Sequence, residues 1–333
     1  MVKTDDKKRI VWIDWAKSIC IFLMVVGHWT SNSTLLLYIY SFHMPALFAV
    51  SGILFKPHSW INTILSFAIP VAFFSFVNII FLLCIGELCI NQLLSKDVLF
   101  RFFHFRYGLG EGFYCGDWFL WALLGLRLFY GDISSLLIMR RYYFIICTCI
   151  VVYMSIEEYM ISIDTLFRGW YIGRFVPSMP FFCLGFLMKD IGLKHKETSL
   201  LTMCLLGTAM LALPVIIGHC SINSNSYGLS YVLFFINASL SSLFILLLSD
   251  YMPKMKFVSI ISKGTLLILG LHIPIMRTLD IILPSCMHDY LPFLVLPLCY
   301  YPILLLDKWC PALLGRVYCM RRDERNIKKC HNS

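Results

Sequence analysis

Three ionisable side chains stand inside the first long apolar run of the chain, Arg9 to His28 (RIVWIDWAKSICIFLMVVGH): Asp14, Lys17 and His28. At about 100° per residue, Lys17 and His28 differ by roughly 20° after three turns, and Asp14 lies about 40° to the other side of His28. One helical stripe therefore carries all three. Ionisable groups in hydrocarbon are unfavourable by about 2.5–3.5 kcal/mol each on insertion scales, so this stripe must face protein or water and is a candidate for function. A neutral imidazole suits general-base work near pH 7, and His28 could take the proton of an alcohol as its oxygen attacks a carbonyl. The bland alternative is a histidine at the outer end of a helix, bonded to water or a neighbour. Lys17 lies roughly 16 Å from His28 along the axis, too far to orient it. Lys17 either pairs with Asp14 at i, i+3 or offers a cation to an anionic ligand, such as a phosphate of a donor arriving from the cytoplasm.

Further polar groups recur at similar depth. The second apolar run contains YSFHMPALFAVSG, where His43 is either a second wall of the same polar cavity or a structural hydrogen-bonding group. Pro45 follows and frees backbone carbonyls, which membranes tolerate only where protein or a cavity satisfies them. SKGTLLILGLH ends at His272, again in the outer half of its helix. His28, His43 and His272 thus suggest one outward-opening polar cavity. Arg174 is deeper in its helix than Arg168, and is assigned with Lys17 and Asp14 to donor binding. Trp118 and Trp121 fit an interfacial aromatic belt. The outer connection 86–114 interleaves aromatics and cations, and then GLGEGFYCGDW brings four glycines close to Glu111 and Asp117. That reads as a loop over the outer mouth, with Trp118, Glu111, Asp117 and His272 as acceptor-side candidates.

The elements that must position these residues follow from composition. The chain has 333 residues, 59% hydrophobic and only 14% charged, with mean hydropathy +0.77. One soluble core cannot absorb that much apolar surface, so the chain reads as an all-α polytopic membrane protein. Ten helices are expected at about 10–29, 35–55, 60–85, 115–131, 142–158, 168–188, 198–218, 229–250, 257–276 and 290–308, as one domain with a basic tail at 309–333. GHWTSNST after the first run has no small-residue cleavage site, so that run is read as a retained helix. Of the 28 Lys and Arg, 19 fall on one side of this arrangement and 6 on the other. The bias places both termini in the cytoplasm. It also accounts for the +9 net charge without nucleic acid, because basic loops face anionic lipid. The 14 cysteines are scattered through apolar segments, so neither a disulfide framework nor a metal site is expected. There is no H-E-x-x-H, C-x-x-C or G-x-S-x-G pattern to support zinc or serine hydrolysis.

RIVWIDWAKSICIFLMVVGH, SFHMPALFAVSG, DWFLWALL and SKGTLLILGLH together resemble integral membrane acyltransferase family 3. The Asp-x-Ala-Lys and Phe-His-Met-Pro forms are similar to its fucose 4-O-acetylase-like branch. The resemblance spans residues 9 to about 308. It implies about ten transmembrane helices in a bacterial inner membrane. It also implies transfer of an acyl group, commonly acetyl from acetyl-CoA, to a hydroxyl of a cell-surface or exported glycan or glycolipid. No permanently bound cofactor is implied, since the acyl-CoA donor is a substrate. The family's first-helix signature is a basic residue, usually Arg, and a His with ten residues between them; Lys17 and His28 occupy those places. Lys in place of Arg lacks the bidentate fork. Single displacement, with His28 as base and His43 beside it, is favoured over an acyl-enzyme because no Cys or Ser has a basic partner in sequence. The competing class is a transporter or flippase of a sugar lipid or small anion, with the polar stripe lining its path.

Overall fold

The computed structural model describes residues 10–56, 58–86, 89, 117–133, 145–151, 153–154, 174–191 and 198–317. Eleven helices carry the architecture among these residues: α1 Val11–Gly27, α2 Ser33–Tyr40, α3 His43–Ile53, α4 Trp60–Cys84, α5 Asp117–Ile133, α6 Phe175–Ile191, α7 Leu200–Ile217, α8 Tyr231–Asp250, α9 Lys256–Lys263, α10 Thr265–Ile282 and α11 Leu291–Trp309. Residues 145–151 are also helical. A small hairpin, Cys220–Ser221 with Ser226–Tyr227, joins α7 to α8, a detail the all-helical reading omits. Six segments are long and apolar enough to cross a membrane, and two shorter apolar helices accompany them. Large side chains such as Leu200, Leu205, Leu211, Val215 and Ile216 stand exposed along α7. In water such a face would be unstable; against lipid it is the expected surface.

Local signals set most boundaries. Asn32, Ser199 and Ser230 cap α2, α7 and α8 by accepting from the amides of Leu35, Thr202 and Leu233. The expected helix 35–55 is broken at Ser41 and Phe42. Pro45 gives the reason: with α3 starting at His43, its missing N–H falls in the first turn, where no intrahelical bond is lost. Pro177 opens α6 in the same way. The expected helix 257–276 is divided at Gly264, where any Cβ would collide with Ile303, and α10 then runs on past Pro274 to Ile282. Of the segment expected as the basic tail, 309–333, residues 309–317 are described. Pro311–Leu314 form a 3-10 turn that packs back on α4, α10 and α11.

At the centre are α1 and α3. The α2–α3 segment is 72% buried, against 17% for α7, so α3 is the axis of the bundle and α7 its rim. Backbone meets backbone where α3 packs on α6. A Cβ on Gly52 would strike the Phe182 carbonyl, and one on Gly185 would strike the Ala49 backbone. Small residues at such a crossing let two helices approach closely in an apolar medium. α1 packs on α3, α8, α9, α10 and α11, and its polar stripe runs from buried Asp14 through half-buried Lys17 to exposed His28.

Candidate active site

Two polar regions lie at different heights along α1. The first is at its C-terminal end. The ring of His28 lies 5.1 Å from that of His272 on α10, centroid to centroid. His28 is exposed, whereas His272 is only 1% exposed. Nδ1 of His272 is 3.0 Å from the Ile268 carbonyl and 2.9 Å from that of Leu269. A carbonyl only accepts, so Nδ1 carries the proton and Nε2 the lone pair. That Nε2 is buried and has no hydrogen-bond partner among the described residues. His43, the first residue of α3, has the same arrangement, with Nδ1 donating to the Ile39 carbonyl at 2.6 Å. Tyr40 ties it to α1: its ring lies 5.5 Å from His43, and its hydroxyl donates to the Gly27 carbonyl at 2.8 Å, next to His28. His219, before the hairpin, packs edge-on against the same tyrosine. On the other side Trp29 covers His288, which bonds Asp280 at 2.8 Å. His28, His43 and His272 therefore converge from three helices, two of them held with Nε2 as a base.

The second region is a cavity of about 550 Å³ beside the N-terminal half of α1. Its lining includes Asp14 and Lys17 from α1, Lys56 after α3, Arg127 from α5, Lys263 from α9, and Arg316 after the last 3-10 turn. Five cations thus face one carboxylate. Lys17 Nζ donates to the Ser262 carbonyl at 2.6 Å, where α9 crosses α1. Lys263 pairs with Asp307 at 2.8 Å, and Arg316 pairs with the other oxygen of the same carboxylate. Ile21, Leu47, Phe119 and Leu269 line the cavity's apolar depth. Leu47 is one helical turn from His43, and Leu269 is three residues before His272. The deep end of the cationic cavity therefore stops roughly 5–6 Å of helix rise short of the imidazoles.

The remaining sequence candidates are placed as follows. Arg174 lies apart from Asp14 and Lys17; its Nε and Nη2 both donate to the Asn223 carbonyl at 2.9 and 2.7 Å, between α6 and the hairpin. Trp118 packs against Phe48 of α3 and Phe119. Asp117 starts α5, but its side chain, like Glu111 and Arg168, lies outside the described residues. Sequence reasoning passed over Arg127, Lys263 and Arg316 as cavity residues, and Tyr40 as the link between histidines. Arg127 did carry a signal: it sits ten residues into an apolar helix with no acid within four residues of it.

The fold and these two regions describe a polytopic helical membrane protein with a cationic cavity and an imidazole cluster. Comparison with protein families gives the class its name: residues 10–306 match the acyltransferase domain of acyltransferase family 3, and the chain belongs to that family. No curated protein and no solved structure matches it.

Proposed function

We propose that the protein is a ten-span O-acyltransferase with both termini in the cytoplasm. It moves an acyl group, acetyl in the simplest case, from acyl-CoA to a hydroxyl of an exported or cell-surface glycan. The observation that supports this best is the alignment of the two polar regions. A cavity rich in cations ends one helical turn short of three clustered histidines. The 19 to 6 bias of Lys and Arg assigns the cavity end of α1 to the cytoplasm, where CoA is found. The phosphates of the donor would rest among the cations, and its uncharged pantetheine arm would extend along the apolar depth toward His28. The partial resemblance to the fucose 4-O-acetylase branch favours acetyl and a sugar hydroxyl.

His28 then acts as general base, since its ring is exposed and can meet an acceptor from the far side. The acceptor O–H gives its proton to the imidazole as its oxygen attacks the thioester carbonyl. The tetrahedral intermediate collapses with cleavage of the C–S bond, and the thiolate leaves with the proton from the imidazolium. The products are an ester and free CoA. Purified protein incubated with radiolabelled acetyl-CoA and glycan fractions is expected to yield an alkali-labile label in one fraction. H28A, folded as the wild type, is expected to lose that label; full transfer by folded H28A would remove His28 as the base. Saturable movement of a sugar lipid in proteoliposomes without thioester cleavage would replace the enzyme reading with the transporter.

A further inference from the structure

Charge in the cavity is not evenly answered. Lys263 and Arg316 share the Asp307 carboxylate, and Lys17 donates to the Ser262 carbonyl. Lys56 lines the cavity but is exposed. Arg127 differs from all of these. It projects from α5 into the cavity, its Nε is buried, and that N–H has no partner among the described residues. Its guanidinium lies over the Phe67 ring, with Cζ 5.7 Å from the centroid. An aromatic face attracts a cation, but it leaves the guanidinium fork unused. A buried N–H of a cation without an acceptor is unfavourable, and a ligand in the cavity would supply the missing acceptor.

We propose that Arg127 is the phosphate-reading residue of this cavity, gripping a diphosphate through its guanidinium fork. The identity of the carrier as CoA rests on the function proposed above; the diphosphate chemistry rests on the cavity itself. Three features single out a diphosphate from a simple carboxylate. Asp14 in the lining and Asp307 behind Lys263 and Arg316 answer only part of the charge of the five lining cations, so a single further negative charge leaves the cavity unbalanced. The planar fork of Arg presents paired N–H groups that match phosphate oxygens, which the point charge of Lys17 does not. The volume of about 550 Å³ holds a small-molecule ligand, well beyond a single ion. The lone carboxylate, Asp14, enters from α1 beside Lys17, while Arg127 enters from α5 together with Phe119 and Leu123. The bundle thus places the forked cation on a different helix from the motif that carries the family resemblance.

The test is equilibrium binding of two probes, inorganic pyrophosphate and CoA, to the full-length protein in detergent or nanodiscs. Wild type is compared with R127M, R127K and K254M, a control at an exposed lysine outside the cavity lining. R127M is expected to weaken both probes at least tenfold, R127K to fall between R127M and wild type, and K254M to shift binding less than threefold. Melting without ligand separates a binding role from a structural one. R127M is expected to melt at or above the wild-type temperature, because it removes a buried N–H that has no partner among the described residues while keeping side-chain length over Phe67. A lowered melting temperature with CoA binding intact would make Arg127 a structural cation and overturn the proposal. Unchanged binding of both probes by folded R127M overturns it too, and leaves the CoA reading standing. Arg127-dependent binding of pyrophosphate with no binding of CoA supports the diphosphate site and removes CoA as the carrier. Failure of wild type to bind either probe overturns both.

Discussion

His272→Phe isolates what the buried histidine contributes to turnover. Phe keeps the ring in a site that is 1% exposed, so packing around Leu267, Ile268 and Leu269 changes little. It deletes the Nδ1–H bonds to the carbonyls of Ile268 and Leu269 and the Nε2 lone pair. The first loss is mild, about 0.5–1.5 kcal/mol of stability, because those carbonyls are already inside a helix. The second bears on catalysis. In the proposed mechanism His28 becomes a cation on taking the acceptor's proton, 5.1 Å, ring to ring, from an imidazole whose Nε2 has no hydrogen-bond partner among the described residues. A hydrogen bond to a charged group contributes about 1.5–3 kcal/mol, which at about 1.36 kcal/mol per decade corresponds to a kcat roughly 10- to 150-fold lower in the variant. The donor KM is expected to stay within twofold, since the cationic lining lies in the other half of α1. His272→Gln, which retains an acceptor oxygen, is expected to recover part of the loss. The assay is initial-rate acetyl transfer in nanodiscs over a range of acetyl-CoA concentrations. A His272→Phe enzyme with kcat within twofold of wild type refutes the reasoning. So does a changed donor KM with kcat intact, which would place His272 on the donor's path instead.

Two more outcomes follow from contacts elsewhere in the bundle. Gly185→Ala or Gly52→Ala drives a methyl into opposing backbone, where no rotamer relieves it, so each is expected to destabilise by about 1–3 kcal/mol in mild detergent unfolding. The pair shares one interface and will not be additive. Gly131→Ala, with open space around its Cβ, serves as the control. Asp307→Asn releases Lys263 and Arg316 toward the cavity; both pairs are half-buried, so the stability cost is expected to exceed the about 0–1 kcal/mol of a solvent-exposed pair. CoA is then expected to bind about twofold to fivefold tighter at low salt, with the gain vanishing at high salt; weaker binding would show that Asp307 positions those cations for the donor.

What could be read from the sequence depended on how local each relation is. The α1 stripe was legible because Asp14, Lys17 and His28 are related by one helix's own periodicity. The starts and ends of α4, α7, α8 and α11 were legible to within a few residues, since caps and apolar length set them. The break before His43 was legible in principle, because Pro45 suits a first turn better than a helix interior. The pairing of His28 with His272 was not, since 244 positions separate them and only the packing of α10 on α1 joins them. The same holds for Arg127, whose meaning depends on what α1, α9 and the final turn place opposite it. Gly52 and Gly185 illustrate the limit well: each looks like an ordinary helical glycine until the partner backbone is in view.

The vertical order of the two regions carries a mechanistic consequence. Between Ile21 at the cavity's depth and His28, the buried residues of α1 are Met24, Val25 and Gly27. Between His43 and Leu47 on α3 they are Met44, Pro45 and Ala46. On α1 and α3 this layer offers no charge and no side-chain hydrogen bond to a passing group. A phosphate would have to shed its hydration there without replacement, so the anionic end of a donor stops among the cations below. A thin, uncharged thioester arm meets no such barrier. On the proposed function, the same layer would keep water from the thioester and so favour an acceptor alcohol over hydrolysis. Flexible Met24 and Met44 are suited to yielding as the arm enters and closing behind it. On the proposed function, this charge distribution would hold the anionic end of the carrier in the half of α1 that bears Asp14 and Lys17, and would let only the acyl end reach the histidines.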